Sequence, residues 1–317
     1  MSAQTMLSIC IPTYNRSVYL DKCLMSIVKQ LKDTDEVEIV VSDNASTDDT
    51  ASVVKKYQTI YSNLVYVRNE ENIGGDNNIV QSLELGKGAY LKLLNDYLEI
   101  KEGGIALMLS LIEKHQADKT ILFFASGNSP VKNAQSTYCS SFEEFLNIAS
   151  FYTTGIGAIG LWKQHFDTIG SHYHFVTKQF YQTELLFECF QLTQASFICM
   201  DRIFDVNEIP NQKISYNFFD TFLNDYLNNL LVHLKDTGKL SQKAFNIEKK
   251  HLFTGFVYPR YKRFKFKSHH FSIDTSGMEK IIFNVYKDSP FFYGYLLYMP
   301  FYLLVFYIKK MFKGKKK

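Results

Sequence analysis

Short apolar runs alternate with amphipathic helical patterns through the first hundred residues. The runs predict buried strands at 7–11, 37–41, 64–67 and 90–94. Between the runs, apolar residues recur three or four positions apart, beginning with Leu20, Leu24 and Ile27, which predicts helices. Because strands that alternate with helices at this spacing form parallel sheets, the sequence predicts an α/β fold. Pro12 is predicted to end the first strand, since proline has no N–H to donate.

Polar residues follow each predicted strand, at 13–16, 42–48, 68–75 and 95–96. The carboxyl ends of parallel strands meet at one edge of an open sheet, and ligands bind there. The glycines of these loops fit neither a dinucleotide-binding G-x-G-x-x-G pattern nor a P-loop. The pattern therefore predicts a ligand site of another kind at this edge.

The chain is less regular after residue 101. A helix is predicted at 104–115, a strand at 120–125, and a close-packed strand or loop near a ligand at 155–162. Residues 184–205 and 216–235 are predicted to be helix-rich.

The net charge of +3 is unevenly distributed, because the last nine residues hold six lysines. Removing these from the 35 basic residues leaves 29 against 32 acidic ones, a net charge of −3. A weakly acidic body argues against a nucleic-acid partner. The five cysteines have no C-x-x-C spacing and no secretory signal pattern opens the sequence, so we expect a reducing, cytosolic setting.

Four segments carry a resemblance to a known family: ICIPTYNR (9–16), VVSDNASTDDT (40–50), ENIGGDNN (71–78) and YLKLLNDYLEI (90–100). Together they resemble the nucleotide-sugar-binding half of a family 2 glycosyltransferase of GT-A fold, a Rossmann-like, mostly parallel sheet flanked by helices. The first two segments are the specific ones, the third is supporting and the fourth is degenerate.

The resemblance implies a binding site for a nucleotide-diphosphate sugar, with a UDP-sugar as the favoured donor. The positions that match the family's donor-binding residues are Pro12, Thr13, Tyr14, Arg16, Asp43, Asn44, Asn72, Gly74, Asn77 and Asn95. Asp43 matches the carboxylate that accepts a hydrogen bond from the base, and Arg16 belongs to the loop that reaches the diphosphate. Asp48 has two readings, as a ligand residue or as a helix N-cap. A glycine turn capped by Asp76 explains most of the third segment without a ligand.

The fourth segment departs from the family pattern, which places Asp-x-Asp at this strand end. Here the chain has Asn95, Asp96 and Tyr97. Three alternatives follow. Asp96 alone anchors a divalent cation, Mn²⁺ or Mg²⁺, held mostly by the diphosphate. Otherwise Arg16 and other cations stabilise the leaving group, or the enzyme is impaired.

The resemblance also implies inverting transfer, which needs a general base for the acceptor hydroxyl. The best match to the family's carboxylate is Glu184, with Asp96 as the second catalytic candidate, although a glutamate in a first helical turn is favoured by the helix dipole alone. Trp162, the only tryptophan, is either a stacking platform for a sugar or a core residue.

The C-terminal part of the chain suggests a membrane. Residues 260–267 alternate cations and aromatic side chains, which on a strand would give one basic and one aromatic face suited to lipid phosphates or a phosphorylated lipid carrier. Residues 289–308 carry no charge, but two prolines and five tyrosines interrupt them. We expect this segment to lie in the interface of an anionic membrane rather than span it, held by the terminal lysines, with a buried core helix as the alternative.

We therefore predict a GT-A domain at 1–205, with a nucleotide-binding half at 1–100 and an acceptor half at 101–205. A helical, basic extension at 206–288 and a membrane-associating segment at 289–317 follow. The predicted function is transfer of a sugar to a glycan or lipid-linked glycan at the cytoplasmic face of the cell membrane. The alternatives are a non-catalytic GT-A module in an assembly complex, and a nucleotidyltransferase, for which the first loop lacks the glycines.

Overall fold

The computed structural model describes residues 5–31, 35–125, 135–169, 174–209, 214–266 and 273–298. The strands, in chain order, are β1 (Leu7–Thr13), β2 (Val37–Asp43), β3 (Leu64–Arg68), β4 (Tyr90–Leu93), β5 (Leu98–Ile100), β6 (Ile121–Phe124), β7 (Thr137–Cys139), β8 (Gly160–Trp162), β9 (Ser196–Cys199), β10 (Phe204–Val206), β11 (Ile214–Asn217) and β12 (Ile273–Asp274). The main sheet has the order β3-β2-β1-β4-β8. Its first four strands are parallel and β8 is antiparallel, which confirms the mostly parallel sheet.

The helices lie between these strands and after them. In chain order they are α1 (Ser17–Val28), α2 (Thr50–Gln58), α3 (Gly75–Glu84), α4 (Gly104–His115), α5 (Phe142–Ala149), α6 (Lys163–Ile169), α7 (Tyr181–Cys189), α8 (Phe218–Asp220), α9 (Val232–Asp236), α10 (Gln242–Leu252), α11 (Tyr258–Phe266) and α12 (Met278–Tyr286). Turns of 3₁₀ helix occur at Ser150–Thr154 and Ile156–Ala158, and π-helical turns at Thr221–Leu231 and Phe253–Val257.

Both faces of the main sheet are covered, because its strands are apolar on both sides. Ile9 and Ile11 of β1 join a core with α1, α2 and α4 on one face. Cys10 of β1 points to the other face, into a core shared with α3, α5, α7 and the C-terminal helices. Two-sided burial is the reason that these strands appear as continuous apolar runs rather than as alternating ones.

Pro12 does not end the first strand, contrary to the sequence prediction. β1 continues to Thr13, and Pro12 pairs with Ser42 of β2. Leu94 donates its main-chain N–H to the Cys10 carbonyl, so the main-chain groups of residues 10 and 12 point toward β4. The pairing of β1 with β4 ends at Cys10, and the missing N–H of Pro12 therefore costs no ladder hydrogen bond.

The region after residue 101 is only partly as predicted. Helix α4 covers 104–115 as expected, and residues 218–236 are helical throughout. The prediction that 184–205 is helix-rich is wrong beyond α7, because β9 and β10 follow it. β9 forms a separate sheet with β6 and β7, and β10 pairs with β5. These short apolar strands have no periodicity that distinguishes them from buried helix.

The basic stretch at 260–267 is not a strand, as far as the structure describes it. It lies in α11, which continues α10 through the π-helical turns at Phe253–Val257. Val257, Tyr261 and Phe264 pack on the core at helical spacing, and this burial overrides the two-residue alternation. Residues 290–298 are helical, while the lysine-rich tail and the rest of the predicted membrane segment lie outside the described residues. No helix in the described part of the chain is long and apolar enough to cross a bilayer.

Candidate active site

The polar loops that follow β1, β2 and β4 meet at one edge of the main sheet. Thr13 at the end of β1 is the register partner of Asp43 at the end of β2. Asn95 and Asp96 follow β4 on the other side of β1. The parallel register thus brings three of the predicted positions, which are 30 or more residues apart in the chain, to one edge.

Asp96 is the centre of one half of this site. Its Oδ2 accepts a hydrogen bond of 2.8 Å from the Thr13 hydroxyl, and its Oδ1 lies 3.1 Å from Nη1 of Arg16. The Asp96 side chain is 2% exposed, whereas that of Arg16 is 33% exposed. Burial raises the pKa of Asp96, and the Arg16 charge and the Thr13 hydroxyl oppose this rise. Asp96 therefore orients Arg16, and Arg16 presents a cation to the rim.

Asp43 forms the other half, inside a shell of protein donors. Its Oδ1 accepts from the Ser46 N–H at 2.9 Å, and its Oδ2 accepts from the Tyr66 hydroxyl at 2.7 Å. Nε of Arg68 lies 3.8 Å from Oδ2, and half of the Arg68 side chain is exposed. The Asp43 side chain is 1% exposed. Burial and the bond to Asp43 raise the pKa of Tyr66, so its hydroxyl stays a donor at neutral pH.

The first two loops are tied together by side chains of the matching segments. Asn15, whose φ is +52°, donates its N–H to the Ser46 hydroxyl and accepts from the Thr47 N–H. Asp48 accepts from the N–H groups of Ser17 and Thr50, the first residues of α1 and α2. Asp48 thus satisfies both helix N-termini, which supports its capping reading over a ligand role. The N-cap residue of α1 is Arg16, whose side chain makes no capping hydrogen bond.

The third loop is organised by hydrogen bonds of Asn44. The Asn44 amide donates to Asn72 Oδ1 at 2.9 Å and to the Gly74 carbonyl at 3.2 Å, and it accepts from the Ile73 N–H. Gly74 precedes α3 with a φ of +89°, a conformation that a side chain would strain. Asn77 is exposed and donates to the Ile73 carbonyl. These four predicted positions shape the rim, while Tyr14, at 44% exposure, is free to contact a ligand.

Glu184 lies in the first turn of α7 with no exposed surface. Its carboxylate accepts from the N–H groups of Val176 and Thr177 and from the Thr177 hydroxyl. The prediction that it is the general base stays a prediction, and its burial points to a structural role. Burial raises the pKa of the neighbouring, partly exposed Asp76 to about 7, and the charges of Asp225 and Glu184 add to the rise.

Trp162 is a core residue and not a sugar platform. It is 1% exposed, its Nε1 donates to the Thr120 carbonyl at 2.8 Å, and Tyr90 packs edge-on against its ring. The five cysteines are free and buried, as expected for small apolar residues.

Three residues of the site were missed by the sequence analysis. Tyr66 and Arg68 belong to β3 and complete the shell of Asp43. Asn78 is buried and exchanges hydrogen bonds with Ser42, which fixes α3 against β2. Asn78 was visible as part of the third motif, but a tyrosine within a short strand carries no signal of its own.

The candidate site offers oxygen ligands of the type that a divalent metal ion binds, but only a few of them. In the described part of the chain, no three His, Cys, Asp or Glu side chains are grouped to hold a metal. Asp96 is the one carboxylate at the end of β4, and both of its oxygens already accept hydrogen bonds. The site fits a cation that brings most of its ligands with it, such as one chelated by a diphosphate.

Comparison with known proteins identifies the family. The sequence model of glycosyl transferase family 2 matches residues 8–176, more than half of the chain. The chain belongs to glycosyl transferase family 2. The match includes Thr13, Arg16, Asp43 and Asp96 and stops short of Glu184.

Two relatives of this family 2 chain have named activities. The abequosyltransferase RfbV of Salmonella typhimurium is 36% identical over 114 residues, which cover 36% of this chain and 34% of the relative. The GalNAc(5)-diNAcBac-PP-undecaprenol beta-1,3-glucosyltransferase of Campylobacter jejuni is 36% identical over 104 residues, covering 32% and 33%. The chain thus matches about a third of the length of these curated relatives.

Solved structures extend the likeness over most of the chain. TarS 1-349 of S. aureus in complex with UDP-GlcNAc superposes with a TM-score of 0.62 at 18% identity, covering 83% of this chain and 76% of TarS 1-349. The mannosyltransferase PcManGT of Pyrobaculum calidifontis, in complex with GDP-Man and Mn²⁺, has a TM-score of 0.56 at 14% identity and covers 98% and 88%. At these identities the likeness shows the fold, which is the predicted GT-A fold.

Proposed function

We propose that this family 2 chain transfers a sugar from a nucleotide-diphosphate sugar to a glycan or lipid-linked glycan, with inversion, during assembly of a cell-surface polysaccharide. The observation that carries the proposal is the edge of the main sheet. The buried carboxylate of Asp43 lies at the end of β2. The Arg16 cation, which the carboxylate of Asp96 holds in place, lies past the ends of β1 and β4. This arrangement offers a hydrogen-bond acceptor for the base and a cation for the diphosphate of a nucleoside diphosphate.

The base end of the donor is assigned to Asp43 and Tyr14. A uracil N–H would donate to the Asp43 carboxylate, and the exposed Tyr14 ring would stack on the base. Because Asp43 is enclosed, part of its shell must move to admit a base, and we assign this movement to the half-exposed Arg68, which would release its hydrogen bond to the Ser46 carbonyl. The TarS neighbour was crystallised with UDP-GlcNAc, which favours a UDP-sugar for this chain too.

The diphosphate end is assigned to Arg16. Negative charge grows on the leaving diphosphate as the glycosidic bond breaks, and a preoriented cation stabilises that charge without reorganising. Thr13 and Asp96 supply this orientation through their hydrogen bonds. A divalent cation, Mn²⁺ or Mg²⁺, would enter with the diphosphate and be held by Asp96, adding positive charge at the same place.

The acceptor and the membrane are proposed from two observations. The Campylobacter relative is named for an acceptor linked to undecaprenol through a diphosphate, and we propose a lipid-linked acceptor for this chain. An exposed apolar surface at the described C-terminal end comprises Phe283, Tyr293, Leu296, Leu297 and Tyr298, with Leu297 82% exposed. We propose that this surface contacts an anionic membrane at its cytoplasmic face.

A second candidate is a nucleotide-binding module without transfer activity. It is favoured by the state of the two predicted catalytic carboxylates, since both Glu184 and Asp96 are buried and accept hydrogen bonds from protein donors. Measured sugar transfer excludes this candidate, and nucleotide binding without transfer or donor hydrolysis selects it.

The test is a thermal-shift panel of the detergent-solubilised chain with UDP, GDP, dTDP and CMP, each with Mn²⁺, Mg²⁺ or EDTA. A ligand at one hundred times its Kd adds about 2.7 kcal/mol to the native state. We expect UDP to stabilise the chain, Asp43→Ala to remove the effect, and Asp49→Ala to keep it. Asp49 is the matched control because it is exposed and its side chain caps no helix. If no nucleotide stabilises the chain, the proposed donor site is wrong.

A further inference from the structure

A second pocket opens beside the end of β4, on the side away from Asp43. It has a volume of about 360 Å³. Asn95, Tyr97 and Leu98 form one wall, the 3₁₀ turns around Gly155 form another, and Arg260 of α11 closes it. Helix α11, which lies in the predicted helical, basic extension at 206–288, therefore contributes a side chain to a pocket next to the donor site.

Arg260 is the one charged side chain in the lining of this pocket, which contains no carboxylate. The ion pairs among the described residues all involve other cations. Its guanidinium lies 3.7 Å from the centroid of the Phe256 ring, with Phe218 at 5.7 Å. Burial lowers the pKa of Arg260 to about 10, so it stays charged at neutral pH. Stacking uses the face of a guanidinium and leaves its in-plane N–H donors available.

Tyr97 is shared between the pocket and the donor half of the site. Arg16 lies 5.7 Å from the centroid of the Tyr97 ring, and Tyr97 also lines the pocket that Arg260 closes. The segment that follows β4 therefore has a cation on either side. Arg16 forms an ion pair with Asp96, and Arg260 packs against the aromatic rings of Phe256 and Phe218. Arg16 has its carboxylate partner, whereas the charge of Arg260 is not balanced within its pocket.

We propose that Arg260 binds a diphosphate group in this pocket, through charge-assisted hydrogen bonds from its free N–H donors. A half-buried guanidinium without a carboxylate partner selects an anion, and its planar donor set suits phosphate oxygens. The proposal rests on the proposed glycosyl transfer, which supplies two sources of a diphosphate: the nucleotide donor and a lipid-linked acceptor.

The experiment is calorimetric titration of the detergent-solubilised full chain. The probes are inorganic pyrophosphate, UDP and geranyl diphosphate, with uridine and geraniol as the phosphate-free controls. Arg260→Gln removes the charge, Arg260→Lys keeps it without the planar donors, and Arg263→Gln removes an exposed cation of the same helix. The melting temperature of each variant establishes that it is folded.

We expect Arg260→Gln to weaken pyrophosphate and at least one organic diphosphate by about 10-fold or more, as for a hydrogen bond to a charged group. Arg260→Lys should weaken them less, Arg263→Gln should stay within about twofold, and uridine and geraniol should be unaffected. If UDP is the one organic diphosphate that binds more weakly to Arg260→Gln, the pocket takes the diphosphate of the donor. If geranyl diphosphate is the one that binds more weakly, the pocket takes the diphosphate of the acceptor.

Equal diphosphate binding by the wild-type chain and folded Arg260→Gln would overturn the proposal and leave the donor site at Asp43 untouched. Arg260-dependent binding of pyrophosphate and geranyl diphosphate, with no binding of UDP, would support the pocket but contradict the UDP-sugar donor. A wild-type chain that binds none of the three diphosphates would refute both the Arg260 pocket and the UDP-sugar donor.

Discussion

Lys92 is a buried cation in β4, directly behind the candidate site. Its ammonium group donates to the carbonyl oxygens of Leu93, Gly157 and Ile159, at 2.8, 2.7 and 3.0 Å. Burial lowers the pKa of Lys92 from 10.5 to about 7. Cys10 stays protonated around neutral pH because burial raises the pKa of its thiol. Lys92 should therefore lose its proton in the folded chain several pH units before it does in the unfolded chain.

This difference makes the stability of the fold depend on pH with a definite sign. Between pH 7 and pH 10.5 the unfolded chain binds more protons at this position than the folded chain, so the free energy of unfolding rises with pH. Integrating that difference from pH 7 to pH 9, for a folded pKa of about 7, gives about 2.3 kcal/mol. Lys92→Met has no titrating group there, so the stability of the wild type relative to this variant should increase by that amount.

Urea unfolding at pH 7, 8 and 9 measures this directly. Trp162 is the reporter, because it is the only tryptophan, is 1% exposed and lies in β8, which pairs with β4. Lys55→Met, at an exposed position of α2, is the matched control and should show a stability difference that is independent of pH. A difference between wild type and Lys92→Met that stays constant from pH 7 to pH 9 would refute the reasoning.

Two further predictions concern the acceptor half and the membrane. Glu184→Gln should lower the melting temperature more than Asp76→Asn, because an amide cannot accept all the hydrogen bonds that the buried carboxylate accepts from Val176 and Thr177. Unchanged stability together with abolished transfer would instead identify Glu184 as the general base. Leu297→Glu should reduce co-sedimentation with vesicles of anionic phosphatidylglycerol several-fold, since this side chain is 82% exposed in an apolar surface. Leu192→Glu, exposed elsewhere, is the control, and equal loss in both variants would contradict the membrane surface.

The position of the candidate site followed from the sequence because parallel sheets obey simple rules. Apolar runs located β1 to β4, and the residues just after them had to meet at one edge. The roles of individual residues did not follow in the same way. Asn44 and Asp48 lie in one of the two specific motifs, yet their side chains form hydrogen bonds within the protein itself. The same motif contains candidate ligand residues and residues that shape the loop, and spacing alone does not distinguish the two.

The sequence by itself determined the α/β class, the order of the first four strands and helices, and the edge of the sheet at which the candidate site lies. These features depend on local periodicity, which a one-dimensional pattern contains. Only the tertiary structure decided that Glu184 is enclosed, that residues 260–266 are helical, and that Arg260 lines the same pocket as Asn95. Each of these depends on contacts between distant segments, and the free energy of such burial is not expressed in the spacing of neighbouring residues.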